Sequence, residues 1–303
     1  MEETFCLYYG ITPPKDSNSE ERIAELAVIQ QKRFDHLPID ALVVYDLQDE
    51  STRTDQERPF PFMQTIAPLD YLRQLQVQQA VVYCSVGKFS EAAFMEWVYA
   101  FPGQQLVLVG APSTHQNDQN LRIGRAYQLA HALRPDLKLG GITIPERHAR
   151  KGDEHLRVLS KIEAGCSFFI SQCVYSIEHA LNFLADTHYH LKKHGVGEVR
   201  FIFTLTPCAS EKTLQFMEWL GINVPNWVKH DLLHADNMLE RSLELCVEVA
   251  ERIIQYCTEK NIPFGFNVES VSIRKEEIEA SLRLFELLHT KKVGSLTKTP
   301  RLY

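Results

Sequence analysis

The chain has 303 residues, of which 45% are hydrophobic and 23% are charged, and its formal net charge is −7. This composition is typical of a globular protein and excludes disordered and collagen-like chains, while the acidic balance without a stripe of Lys and Arg argues against nucleic-acid binding. No stretch approaches the roughly 18 to 20 apolar residues of a membrane helix, and the N-terminus lacks the features of a signal peptide, so we expect a cytoplasmic protein without a membrane partner.

Short β-rich runs alternate with amphipathic helical stretches along the chain. Strands are predicted at 5–12, 41–45, 80–85, 105–109, 138–143, 167–173, 199–205 and 263–267. Helices are predicted at 20–32, 69–78, 90–99, 122–133, 154–163, 177–193, 211–220, 235–260 and 275–288. Several strands are continuous apolar runs, as expected when helices cover both faces of a parallel sheet.

Eight alternations predict an α/β protein with a single-domain (β/α)8 TIM barrel. An open doubly wound sheet is the alternative, but it would usually carry a Gly-rich turn after its first strand, and Gly10 stands there alone. We place the barrel domain at 1–290 and a polar tail without a pattern at 291–303. The polar connection at 46–68 is long for a compact domain, which favours a functional loop.

Seven cysteines occur at irregular spacing without a Cys-x-x-Cys pair. This pattern encodes neither a disulfide framework nor a thiolate zinc site. Glu146 and His148 lack a recognisable third ligand, and zinc sites need at least three protein donors. We therefore predict no metal site.

Active sites of such barrels form at the carboxyl ends of the strands. The positions that end a strand or open the following loop include Gly10, Asp46, Glu146, Gln172 and Glu269. Gln172 is the strongest catalytic or substrate-binding candidate, because it is polar in an otherwise apolar strand and buried polar groups need partners.

Four motifs occur in order across nearly the whole chain: Thr-Pro-Pro-Lys at 12–15, Ile-Pro-Glu-Arg-His at 144–148, Lys-Ile-Glu-Ala-Gly-Cys at 161–166 with Ile-Ser-Gln at 170–172, and Val-Pro-Asn-Trp at 224–227. Together they resemble the methylenetetrahydrofolate reductase family. The resemblance implies an oxidoreductase of one-carbon metabolism and methionine biosynthesis. Such an enzyme uses FAD and NADH or NADPH to reduce 5,10-methylenetetrahydrofolate, a folate-type small molecule, to 5-methyltetrahydrofolate. A homo-oligomer is compatible with this hypothesis.

The resemblance also implies roles for individual residues. His148 and Lys161 stand near the nucleotide portion of the flavin, and Gln172 faces both flavin and substrate. Tyr83 and Ala111 occupy two further cofactor positions. Simpler interpretations stay open, because the run around His148 could cap a helix and Lys161 could be an exposed helical lysine.

The chain departs from the family at five positions. Gly10 replaces the catalytic glutamate, and Ala111 replaces an aspartate near the flavin and the pterin. Ile144, Tyr83 and Val44 replace a Tyr, a His and a Thr. These changes favour a second hypothesis, in which the barrel has lost reductase chemistry and binds a folate or another one-carbon compound as an accessory or transferase component.

The loop after the second strand holds several carboxylates and two arginines. Asp46 could replace the missing acid, with Glu146 as a further catalytic carboxyl, and Arg53 or Arg58 could pair with a substrate carboxylate such as the glutamate tail of a folate. The alternative is a solvated loop whose charges pair internally. A third hypothesis treats the chain as an unrelated barrel enzyme that works through this loop.

Overall fold

The computed structural model describes residues 5–49, 55–110 and 121–296. Eight parallel strands close into one barrel in which each strand pairs with its neighbours in sequence and β8 pairs with β1. The strands are β1 Cys6–Ile11, β2 Ala41–Val44, β3 Ala80–Ser85, β4 Gln105–Val109, β5 Lys138–Thr143, β6 Cys166–Cys173, β7 Arg200–Leu205 and β8 Phe264–Val268. The predicted (β/α)8 barrel is confirmed.

Helices surround the barrel, and several of them begin at a side-chain cap. The helices are α1 Glu20–Phe34, α2 Pro68–Leu72, α3 Glu91–Ala100, α4 Ile123–Leu133, α5 Pro145–Lys151, α6 Glu154–Glu163, α7 Ile177–Lys193, α8 Glu211–Trp219, α9 Asn226–Leu233, α10 Met238–Lys260 and α11 Lys275–Leu296. Ser19, Ser90, Ser176 and Ser210 each accept a hydrogen bond from the backbone N–H three residues later. This local capping explains why the helix starts were predictable.

The sequence analysis missed two short helices, α5 and α9. α5 begins with Pro145, whose ring presets a helical φ, and ends at Gly152, which has a left-handed φ of 67°. Elements this short carry little hydrophobic periodicity. The connection between β7 and β8 contains three helices, α8, α9 and α10. Because α8 follows β7, it begins near the carboxyl ends of the strands.

Two helix ends differ from the prediction. α2 stops at Leu72 because the chain continues in tight turns. α11 continues to Leu296, past the predicted start of the tail at Lys291. The side chain of Lys292 is buried, and its Nζ lies 2.7 Å from Oδ2 of Asp40. This partly buried ion pair holds the last turns of α11 near the start of β2.

The alternation of side chains along the strands divides the core into two layers. Inside the barrel lie apolar and aromatic side chains such as Tyr8, Val43, Val107, Phe168 and Ile202. A larger cluster fills the space between the strands and the helices. Both faces of each strand are therefore buried, and a polar side chain within the barrel needs a hydrogen-bond partner.

All seven cysteines are buried free thiols without a disulfide bond. None of the described helices combines the length and the apolar character needed to cross a membrane.

Candidate functional site

Polar side chains meet inside the carboxyl-terminal mouth of the barrel, at the ends of β2 and β8. Asn267 is fully buried, and its Nδ2 donates to the phenol oxygen of Tyr45 at 2.7 Å and to Oγ1 of Thr204 at 3.3 Å. The ring of Tyr45 meets that of Tyr83 edge-on, with 4.8 Å between the centroids. We call Tyr45, Tyr83, Asn267 and Glu269 the mouth cluster.

Glu269 directly follows β8 and is half-buried. Its Oε1 accepts a hydrogen bond from the thiol of Cys173 at 3.2 Å. Burial raises the pKa of Glu269, and hydrogen bonds from Tyr45, Cys173 and Asn267 oppose this rise without cancelling it. Burial, followed by the charge of Glu269, also raises the pKa of Tyr45 and of Tyr83. Glu269 is therefore the carboxyl group around which the mouth cluster is organised.

Gly10 lies beside this cluster on β1, and the ring of Tyr45 fills the space that a side chain there would need. A Cβ atom at Gly10 would come within 2.9 Å of both Cε2 and Oη of Tyr45, and within 3.2 Å of Oδ1 of Asn267. Any larger residue at this position would have to displace the ring of Tyr45. The glutamate that the family resemblance would place on β1 would need the space that this ring occupies.

Gln172 lies at the mouth end of β6. The register between β6 and β7 shifts close to this position, and Oγ of Ser171 accepts the backbone N–H of Thr204 at 3.0 Å. A bulge of this kind changes the direction of the side chains that follow it. Nε2 of Gln172 donates to the carbonyl oxygen of Leu220 at 3.1 Å, which joins β6 to the end of α8.

Asp46 lies at the rim of the mouth, where its carboxylate anchors the loop after β2. Oδ2 accepts the backbone N–H of Ser85 at 2.7 Å, and Oδ1 lies 2.5 Å from Nζ of Lys88. The two oxygens therefore bind groups at the end of β3 and directly after it. This arrangement matches the internal charge pairing that the sequence analysis gave as the alternative to a displaced acid.

Arg58 packs among aromatic rings. Its guanidinium carbon lies 5.1 Å from the ring centroids of Phe216 and Trp219 on α8, and 5.4 Å from that of Phe62, within the range of cation–π attraction. Nε1 of Trp219 also donates to the carbonyl oxygen of Gln56 at 3.1 Å. We call residues 55–62 together with α8 the arch, because contacts of Arg58 and Trp219 join the two segments.

Two cavities lie beside these elements. One has a volume of about 540 Å³ and is lined by Glu57, Arg58, Pro59, Glu211, Lys212 and Gln215. The other has a volume of about 170 Å³, and Asp46, Tyr83 and Lys88 are among its lining residues. Neither of these two cavities is lined by Glu269. Two predicted site residues, Arg53 and Ala111, lie outside the described residues.

Glu146 and His148 lie on α5, outside the mouth cluster. His148 is buried, its Nε2 lies 2.9 Å from Oδ2 of Asp186 on α7, and its ring meets those of His155 and Phe183. Glu146 is also buried, with no hydrogen bond to either carboxyl oxygen. Burial raises the pKa of Glu146 to about 8, so its carboxyl group is largely protonated at neutral pH.

Lys161 supports the barrel wall. Its Nζ donates to the carbonyl oxygen of Ile142 on β5 at 2.6 Å, and burial lowers the pKa of this lysine. Lys161, His148 and Tyr83 are three of the positions that the resemblance assigns to flavin contacts, and each is engaged by other atoms of the chain. These three side chains are therefore held in place by contacts within the chain, and their predicted role at a flavin stays a prediction.

The mouth cluster includes residues to which the sequence analysis gave no role. Asn267 carries the same signal as Gln172, since it is the polar residue of the strand Phe-Gly-Phe-Asn-Val. Glu269 was visible only as a strand-end position. The approach of Tyr45 to Gly10 depends on how neighbouring strands are aligned, which no local motif encodes.

Comparisons with known proteins place the chain in a family. A model of the methylenetetrahydrofolate reductase family matches residues 111–272. A solved structure of an uncharacterized protein from Clostridium thermocellum, described as binding two copies of 5-methyl-5,6,7,8-tetrahydrofolic acid, is 41% identical with a TM-score of 0.82 over 95% of this chain and 96% of that chain. A putative deoxyribose-phosphate aldolase from Toxoplasma gondii ME49, in its apo form, is 9% identical with a TM-score of 0.47 over 94% of this chain and 95% of that chain. No curated protein matches.

The family match spans more than half of the 303 residues and includes Gln172, Asn267 and Glu269. The Clostridium thermocellum protein extends the similarity over nearly the full length of the chain. The aldolase likeness is too weak to bear on function. The chain belongs to the methylenetetrahydrofolate reductase family.

Proposed function

We propose that this chain binds a reduced folate of the 5-methyltetrahydrofolate class at the mouth of its barrel. The observation that carries the proposal is the mouth cluster, a hydrogen-bonded set of polar side chains at the carboxyl ends of the strands of a barrel in this family. The Clostridium thermocellum protein, 41% identical, binds two copies of such a compound. That likeness supports the choice of ligand.

The chemistry of the cluster suits a pterin ring. A pterin presents N–H donors and carbonyl or ring-nitrogen acceptors along its edge and apolar faces above and below. Within the cluster, Oδ1 of Asn267 has no hydrogen-bond partner among the described groups, and Glu269 is an acceptor when ionised. Beyond it, Gln172 has an amide group that can donate and accept. The tyrosine pair, Tyr45 and Tyr83, offers aromatic surface of the kind that packs against a flat ring.

A folate also carries a glutamate tail, and the larger cavity suits its carboxylates. Arg58 and Lys212 line this volume of about 540 Å³, and volumes of roughly 300 to 1,000 Å³ are typical of small-molecule sites. Glu57 and Glu211 line it as well and would repel carboxylates. We therefore expect each carboxylate of the tail to pair with one cation, either Arg58 or Lys212. Arg53 stays a predicted partner of the same tail.

Calorimetric titration of the purified protein with 5-methyltetrahydrofolate tests the proposal. We expect saturable binding with a Kd in the micromolar range or below. p-Aminobenzoylglutamate, which has the tail but lacks the pterin, serves as the control and should bind at least about tenfold more weakly, a difference of roughly 1.4 kcal/mol. Absence of saturable binding at millimolar ligand would refute the proposal.

The second candidate is flavin-dependent reduction of 5,10-methylenetetrahydrofolate with NADH or NADPH. Family membership and the place of Gln172 at the mouth favour it, while Gly10 and the internal contacts of His148 and Lys161 count against it. A visible absorption spectrum of the protein, before and after incubation with FAD and removal of the excess, decides between the candidates. Bound flavin together with folate-dependent oxidation of NADH would favour the reductase.

Asp46 and Glu146 remain catalytic candidates only under the reductase hypothesis. For the folate-binding function we assign Asp46 to fixing the loop after β2, because its two carboxylate oxygens bind Ser85 and Lys88. We assign Glu146 to the packing of α5, because its buried carboxyl has no hydrogen-bond partner among the described side chains and backbone groups.

A further inference from the structure

We infer that Glu269 recognises the pterin ring, accepting hydrogen bonds from the N–H donors of its amino-pyrimidine edge. The inference rests on the proposed folate-binding function and assigns the acidic contact to one residue. It also gives this barrel, which has no acid on β1, a carboxyl group that can contact a pterin.

The alignment of β1 and β8 places Glu269 at the level of Gly10. Tyr9 pairs with Val268 across these two parallel strands. One residue further along each strand, Gly10 and Glu269 therefore lie side by side. The glycine offers no side chain, and Tyr45 covers it. The carboxyl group at this level of the mouth thus comes from β8.

The other carboxyl groups considered for the site are committed elsewhere. Asp46 binds the backbone of Ser85 and the ammonium group of Lys88. Glu146 lies on α5 and is almost fully buried. Glu269 keeps solvent-accessible surface, and it lies next to Tyr45 and Asn267, which both lower its pKa.

The neighbours of Glu269 hold it in place and leave it acceptor capacity. The thiol of Cys173 donates a hydrogen bond to Oε1 of its carboxyl group, and Tyr45 and Asn267 lie close enough to lower its pKa, whereas a carboxylate offers about four acceptor sites. A further N–H from a ligand completes the set. Because the three neighbours are themselves packed in the barrel, the carboxyl group is oriented before the ligand arrives, which reduces the entropy lost on binding.

This contact predicts a selectivity for ring donors. A site built around a buried acceptor rejects an analogue that lacks the matching donor, since the acceptor is then left without a partner. A reduced folate whose 2-amino group is replaced by methyl should therefore bind far more weakly than 5-methyltetrahydrofolate. The rest of the molecule, including the tail, is unchanged in that comparison.

The experiment measures the affinity for 5-methyltetrahydrofolate of the wild type, of Glu269→Gln and of Glu277→Gln. Glu277 is a matched control, because it is buried and accepts hydrogen bonds from the backbone N–H of Ala209 and from Ser272, outside the mouth cluster. We expect Glu269→Gln to lose roughly 100-fold in affinity, and Glu277→Gln less than about threefold.

The 2-methyl analogue supplies a second arm that does not depend on the folding of a variant. Wild type should bind it roughly 100-fold more weakly than the amino compound, and Glu269→Gln should bind the two ligands with similar affinity. Equal binding of the two ligands by wild type, or an unchanged affinity in a folded Glu269→Gln, would overturn the inference while the folate-binding function stands. Failure of wild type to bind 5-methyltetrahydrofolate at all would remove both.

Discussion

The two sides of the barrel top use their polar residues differently. On the α5 side, His148 and Lys161 carry the family motifs, yet they contact Asp186 and the carbonyl of Ile142 within the chain. On the β8–β1–β2 side no family motif is present beyond the first-strand run, but Asn267 donates a hydrogen bond to Tyr45 inside the mouth, and Glu269 lies beside both.

The difference teaches that sequence motifs and ligand chemistry need not coincide. The motif side preserves residues that hold helices against strands. The mouth side carries the polar groups that can meet a ligand, and there Tyr45 has taken the space beside Gly10. Substitutions on the α5 side should therefore change the stability of the fold, whereas substitutions on the mouth side should change affinity for the folate.

The largest effect is expected from Arg147→Ala on the motif side. Arg147 binds both carboxylate oxygens of the fully buried Glu154, at 2.5 and 2.7 Å. Its removal leaves a buried charge without its partner, which costs about 3 to 5 kcal/mol. Urea unfolding should show this loss. Arg157→Ala, which breaks an ion pair with Asp153 on the surface of α6, is the control and should change little; equal losses in the two variants would contradict this account.

The next effect is the pH dependence caused by Glu146. Its pKa is about 8 in the folded chain, against a usual value of 4.5. Between these pH values the folded state keeps a proton that the unfolded chain has lost, so wild-type stability falls as pH rises, by up to about 1.4 kcal/mol per pH unit. Above a pH of about 8 this contribution is constant.

Glu146→Gln removes that titration. Its free energy of unfolding relative to wild type should therefore increase steadily from pH 5 towards pH 8, as measured by urea unfolding at several pH values. The exposed Glu163 provides the control, since Glu163→Gln should follow the wild-type profile. Parallel profiles for Glu146→Gln and wild type would show that the carboxyl group of Glu146 is ionised in the folded chain.

Gly10→Ala tests the mouth side. The new Cβ would meet the Tyr45 ring at 2.9 Å. Such overpacking lowers the free energy of unfolding by roughly 1 to 3 kcal/mol. Because the ring must shift, affinity for 5-methyltetrahydrofolate should fall as well. Gly124→Ala in α4 is the control, since a Cβ there meets nothing within 4 Å. If Gly10→Ala bound 5-methyltetrahydrofolate as tightly as wild type, Tyr45 would have no part in the site.

Tyr45→Phe should give the smallest change. It keeps the ring over Gly10 and removes the hydroxyl group that accepts a hydrogen bond from Asn267 and lies beside the carboxyl group of Glu269. We expect a loss of about 1 kcal/mol, or roughly fivefold in folate affinity. Tyr83→Phe leaves the contact between the two rings in place and serves as the control. If both variants lose the same affinity, the hydrogen bonds of Tyr45 do not orient the mouth cluster.

Much of the fold could be predicted because its signals are local. The apolar runs of the strands are continuous, and Ser19, Ser90 and Ser210 cap the helices that follow them. The end of α11 could not be predicted, because it depends on an ion pair between Lys292 and Asp40, which are far apart in the sequence.

The candidate site was only partly predictable. Gln172 could be found because a polar residue interrupts an apolar strand, and the same criterion applies to Asn267. The packing of Tyr45 against Gly10 could not be found, because it joins two strands whose alignment is set by closure of the whole barrel. For the same reason, the sequence showed that an acid was missing from β1 but did not identify Glu269 as a neighbouring carboxyl group.

The arch bears on how fast a ligand could come and go. Arg58 stacks against Phe216 and Trp219, and Gln172 holds the end of α8. If a ligand enters between residues 55–62 and α8, these contacts have to break for a moment, and such a conformational change lowers association rates below the usual roughly 10⁵ to 10⁷ M⁻¹s⁻¹. A site gated in this way exchanges its ligand slowly in both directions. Its occupancy would then follow the average supply of folate and ignore brief fluctuations.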